Sequence, residues 1–144
     1  MSAPGFEFVD AVTSDLSFVA RGATLDEVFA AAAQAFLAAT VEDPGGVAER
    51  ETRRIELAEP DVELLLLRFL NELVYLKDAE LLLLVPRRVR VSCDAGARLE
   101  AELAGERIAP GRHRLAADVK AATAHGLSVS KTAPGWEARV TLDV

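Results

Sequence analysis

Residues 61–80 read Asp61-Val-Glu-Leu-Leu-Leu-Leu-Arg-Phe-Leu-Asn-Glu-Leu-Val-Tyr-Leu-Lys-Asp-Ala-Glu80, and the rest of the chain is arranged around them. Leu66, Phe69, Leu70, Leu73 and Leu76 recur at intervals of three and four, the spacing that gathers side chains on one face of an α-helix. Arg68, Asn71, Glu72 and Asp78 fall on or near the opposite side. Leu64, Leu65 and Leu67 widen the apolar stripe beyond that of a surface helix, which predicts burial on more than one flank. Pro60 suits a first helical position, where its missing N–H costs nothing. No glycine or proline interrupts the run.

Upstream, Thr52 to Leu57 reads as a strand leading into this helix. A second helix is announced by Thr24-Leu-Asp-Glu27, where Thr24 can accept from the Glu27 N–H and Glu27 can reach back. It runs to about Thr40, is rich in alanine, and stops before the turn residues Glu42-Asp-Pro-Gly-Gly46. Ahead of it lie a short strand around Phe6 and Phe8, a polar break from Asp10 to Ser14, and an alternating strand from Asp15 to Gly22. There Leu16, Phe18 and Ala20 point one way, and Asp15, Ser17 and Val19 the other.

Downstream, Val89, Val91 and Cys93 alternate with Arg88, Arg90 and Ser92; after the turn Asp94-Ala-Gly96, Leu99, Ala101 and Leu103 alternate with Arg98, Glu100 and Glu102. This is a β-hairpin whose outer face can set Arg88 and Arg90 against Glu100 and Glu102. Gly105 to Leu115 reads as a loop, Asp118 to Ser130 as a strand, and Trp136 to Asp143 as the last strand. Strands segregated in this way from two helices predict an α+β fold: a two-layer sandwich, a mostly antiparallel sheet with both helices packed on one face. No repeat or linker divides the chain, so a single domain over 1–144 is expected.

Half of the residues, 51%, are apolar, which excludes disorder. No apolar run is long enough to span a bilayer, and the first residues lack an export pattern; a cytoplasmic protein is the default expectation. A single cysteine, Cys93, excludes an internal disulfide, and its phase in the hairpin predicts a buried, inert thiol. The net charge of −7 argues against strong direct nucleic-acid binding and fits a metal site or a basic partner as well as simple solubility.

GxxxxGK[ST], GxGxxG after a strand, GxSxG, HExxH and CxxC are all absent. His125 is in phase with Val119 and Leu127, which reads as a hydrogen-bonded core histidine. His113 lies in a loop between Arg112 and Arg114, where clustered cations disfavour a metal. Asp15 and Asp143 are more informative. Both lie on strands, out of phase with the large apolar residues beside them. If those strands are neighbours, the two carboxylates share a sheet face and repel unless a hard cation sits between them. Val144 can add its backbone or terminal oxygen. Two solvated surface aspartates are the competing reading of the same pattern.

Several stretches together resemble the archease family, small acidic proteins that assist the tRNA-splicing RNA ligase. They are Phe6-Glu-Phe8, Asp15 with Gly22, Thr24-Leu-Asp-Glu-Val-Phe29, Phe69-Leu-Asn-Glu-Leu-Val-Tyr-Leu76 with Asp78 and Glu80, Asp118-Val-Lys-Ala-Ala-Thr-Ala-His125, and the closing Asp143-Val144. They follow the family's order along nearly the whole chain. Two stretches depart: where the family usually reads Glu-His-Thr-Ala-Asp, this chain has Asp10-Ala-Val-Thr-Ser-Asp15, with no histidine and one extra residue, and 109–114 lacks the acidic residue expected ahead of His113. The resemblance implies a site for a divalent cation, calcium or magnesium, at Asp15, Asp143 and Val144. It further implies an accessory protein, not an enzyme, that helps the ligase's active-site histidine acquire a guanylate and so turn over repeatedly. Asp10, Lys120 and His125 are candidate supporting or partner-facing residues. Two rival functions stand beside it: a small metal-dependent phosphoester hydrolase that uses the same carboxylates with His125 as base, or, given the altered N-terminal motif, a metal-free, chaperone-like interaction module.

Overall fold

The computed structural model describes residues 4–12 and 14–144, without the side chains of residues 10–12. Its elements in order are β1 (Gly5–Val12), β2 (Asp15–Gly22), α1 (Leu25–Thr40), a short 3-10 turn (Pro44–Gly46), β3 (Glu51–Glu59), α2 (Val62–Glu80), β4 (Leu82–Ser92), β5 (Ala97–Arg107), β6 (Ala121–Lys131) and β7 (Trp136–Asp143). The fold is α+β, as the pattern predicts, and every strand pairing is antiparallel. The strands divide into two sheets, ordered β1-β2-β7-β6 and β3-β5-β4. Helix α1 packs against β2 and β4, and α2 against β6 and β3, so each helix touches both sheets. That double contact is why α1 is alanine-rich: Ala31, Ala32, Ala33, Ala35 and Ala39 are all buried, and small side chains let strands approach from several sides.

Both helices begin on side-chain caps. Thr24 Oγ1 accepts from Glu27 N at 3.2 Å while Glu27 Oε1 accepts from Ala23 N at 2.7 Å. For α2 the cap is Asp61, which accepts from Leu64 N at 2.9 Å, so Pro60 precedes the helix instead of opening it. Leu65, Leu66, Phe69 and Leu70 are fully buried, and Phe69 stacks on Phe29 of α1 with ring centroids 6.2 Å apart. No described helix is long and apolar enough to cross a membrane.

Several local expectations are corrected. Strand β4 starts at Leu82, directly after the helix, because Leu81 turns the chain with a left-handed backbone (φ 58°). Strand β1 continues through Val12, into the stretch from Asp10 to Ser14 that reads as a break; Ser14 is a turn and Thr13 lies outside the described residues. Strand β6 begins only at Ala121, and its pairing with β7 slips between Thr123 and Ser128. The slip throws His125 out of the alternation, so it is exposed, not part of the core. Cys93 is exposed as well, one residue beyond the end of β4. His113 is buried. Arg88 and Arg90 do stand opposite Glu102 and Glu100, but none of these four residues forms an ion pair among the described residues.

Candidate metal centre at the open end of the four-stranded sheet

In the β2–β7 ladder Asp15 lies directly opposite Asp143, Ser17 opposite Thr141, Val19 opposite Arg139 and Arg21 opposite Glu137. Side chains alternate along a strand, so these eight share the face away from the Phe18, Ala20, Val140 and Leu142 core. Opposed residues in such a ladder have Cβ atoms ~4.5–5.5 Å apart. Asp15 and Asp143 are half-buried, and among the described residues neither takes part in an ion pair. Their outer neighbours in the ladder are Val12 and Ala121, which carry no charge. Carboxylates carried on opposed positions are like charges and repel unless a cation stands between them.

Backbone bonds hold the site on both sides. Val144 N donates to Ser14 O at 3.0 Å, and Lys120 N donates to Asp143 O at 2.8 Å. The carbonyl of Asp143 is thereby engaged, and that of Val144 is the next backbone oxygen beside the pair. Behind the carboxylates, Ser17 Oγ and Thr141 Oγ1 are 2.9 Å apart and buried, and Thr123 Oγ1 donates to Thr141 O at 3.3 Å. This hydroxyl row, which the sequence pattern did not single out, locks the register that brings the two acids together.

The supporting candidates fall in three different situations. Lys120 is exposed, with its backbone tied to Asp143. His125 sits in the β6 slip, where Gly126 (φ +69°) passes close to Thr141; a Cβ built there would lie 3.9 Å from Thr141 Oγ1. Asp10 pairs through its backbone with Ser17, and its side chain lies outside the described residues.

The donor set is all oxygen: two carboxylates and a backbone carbonyl. It suits a hard cation such as calcium or magnesium and offers nothing to a softer metal. Among the described residues no group of three or more histidine, cysteine or acidic side chains converges, so most of an ion's remaining ligands would be water. The residues present fit a hard, partly hydrated ion.

A family model described as the archease protein family (MTH1598/TM1083) matches residues 6–144. The chain belongs to the archease family. The protein archease of Methanosarcina acetivorans is 35% identical over 134 residues, covering 92% of this chain and 91% of the relative. That of Methanothermobacter thermautotrophicus is 37% identical over 141 residues, covering 97% of this chain and 99% of the relative. The solution structure of Methanobacterium thermoautotrophicum protein 1598 superimposes with a TM-score of 0.83 at 37% identity, over 97% of this chain and 99% of the other. A crystal structure from Thermotoga maritima, described as an archease and possible chaperone, shares the fold at a TM-score of 0.62 and 16% identity, over 100% of this chain and 98% of that one. The archease resemblance read from the motifs is therefore correct.

Proposed function

We propose that this archease is an accessory protein of a tRNA-splicing RNA ligase, and that it promotes transfer of guanylate from GTP to the ligase's active-site histidine. The observation that carries the reading is the Asp15–Asp143 pair: two opposed acids that, among the described residues, form no ion pair, at the end of a sheet. Asp15, Asp143 and the Val144 carbonyl would hold a divalent cation there. Such a cation would supply positive charge where phosphate charge develops during phosphoryl-type transfer. The Ser17–Thr141 bond keeps the two acids level with each other. Lys120, tied by its N–H to Asp143 O, offers an ammonium to a phosphate on the same end. His125 rides on an exposed bulge where a partner can reach it. The net charge of −7 draws the molecule toward a basic nucleotide site.

The test is reconstitution with the ligase of the same cell, GTP and magnesium or manganese. Ligase guanylylation and repeated turnover should rise on adding the wild type and fail to rise with Asp143→Ala. An unchanged ligase with wild-type protein would overturn the proposal. The Thermotoga protein is described as a possible chaperone, and the alternative for this chain is a chaperone-like module, which needs no metal. Calcium titration by calorimetry separates the two: the ligase reading expects one saturable site in the wild type and its loss in Asp143→Ala, whereas the module expects none in either. A hydrolase would instead turn over a phosphoester with no partner present.

A further inference from the structure

Strand β6 is an edge of its sheet, so among the described residues one row of its peptide groups has no strand to pair with. Helix α2 fills that row with side chains. Asn71 Nδ2 donates to Ala122 O at 3.0 Å, and Asn71 Oδ1 accepts from Ala122 N at 2.9 Å. An amide presents a donor and an acceptor side by side, as a peptide group does, so Asn71 pairs with Ala122 the way a strand residue would. Farther along, Glu63 Oε2 accepts from Val129 N at 3.1 Å. Ahead of the strand, the buried Lys77 donates to Val119 O at 2.9 Å and to Asp118 at 3.1 Å. Asn71 lies in the Leu-Asn-Glu-Leu motif, for which the proposed function has no use.

We infer that Asn71 is a positioning residue for the carboxylate pair. The inference rests on the cation reading above for its functional meaning. Ala122 is one residue from Ala121, the partner of Asp143 in the ladder, and two from Lys120, whose N–H holds Asp143 O. On the other side of Ala122 the strand slips out of register between Thr123 and Ser128. Residues excluded from a ladder are slack, and slack can travel along a strand unless both of its ends are fixed. Asn71 and Glu63 fix those ends at Ala122 and Val129. Without Asn71 the slack can move toward the site, loosen the Lys120–Asp143 bond and release the backbone that orients Asp143.

The experiment uses the full chain and three variants. Asn71→Leu removes both bonds at similar size; Asn71→Asp keeps the acceptor but loses the donor. Ile55→Val, in β3, is a control for loss of stability away from the site. Hydrogen exchange at the Lys120 amide is measured in metal-free protein, and calcium affinity is measured by calorimetry. Asn71→Leu should lower both the Lys120 protection and the calcium affinity by roughly tenfold or more, the usual size for losing a residue that orients a metal ligand. Asn71→Asp should fall between it and the wild type, and decides the matter alone if the leucine variant does not fold. Ile55→Val should change neither quantity. Unchanged Lys120 exchange in both Asn71 variants, or an equal loss in Ile55→Val, overturns the inference. If the wild type binds no calcium, the cation reading falls, and the exchange measurement still decides whether Asn71 holds this end of the sheet.

Discussion

Near the end of β5, Glu106 is buried and holds four groups at once. It accepts from Arg112 at 2.9 Å, from Ala48 N at 2.7 Å and from His113 Nε2 at 2.9 Å, and Arg50 lies 3.6 Å away. His113 Nδ1 accepts from Ala109 N at 2.9 Å, so the proton of this imidazole is on Nε2, facing the acid. The bond from Arg112, followed by those from Ala48 and His113, lowers the Glu106 pKa from 4.5 to about 2. A carboxyl more acidic in the folded than in the unfolded chain adds stability above the unfolded value, and that stability is lost as pH falls through the window toward the folded value. Glu106→Gln should therefore flatten the acid limb of the melting curve between pH 4.5 and about 2, converging with the wild type at the low end. Thermal melts across that range check it. From sequence, His113 looked like a loop residue among cations. Its acid lies seven positions earlier on a strand that runs farther than its alternation shows, so the pairing needed the fold to be seen.

At the scale of elements, periodicity carried far where one face is buried and failed where the backbone departs from regularity. The α2 stripe, the capped start of α1, the β4–β5 hairpin and the shared phase of Asp15 and Asp143, out of step with the core, were all legible in the sequence. The slip in β6 was not, because it depends on pairing with β7, and His125 was misplaced with it. Lys77 carries a signal in the sequence itself: it stands on the Leu70–Leu73 side of an apolar helix, where a cation needs buried partners. Leu81 carries a left-handed backbone that glycine adopts without strain. Leu81→Gly is expected to stabilise the fold by about 0.5–1 kcal/mol, since the strain of roughly 1–2 kcal/mol exceeds the entropy cost of glycine. Gly105 is the opposite case. A Cβ there would collide with the Leu83 carbonyl oxygen, so Gly105→Ala must push β4 away from β5. A loss of at least about 1–3 kcal/mol is expected. Urea titration measures both.

Across the whole molecule, one apolar cluster joins both helices to strands of both sheets, and the Phe29–Phe69 stack stands between the helices. Phe69→Ala should cost about 3–5 kcal/mol by urea denaturation, because its ring is fully buried and neighbours on two elements would have to close the space. The acids at the sheet's open end depend on that same assembly. Strands β2 and β7 come from opposite parts of the chain, and the two carboxylates meet only once those strands have paired. In the unfolded polypeptide they cannot grip one ion together. On the proposed reading, each tenfold of free ion above its dissociation constant would then add about 1.4 kcal/mol to folding. A chelator series followed by heating would turn the protein's own denaturation into a gauge that ranks magnesium against calcium with no ligase in the tube.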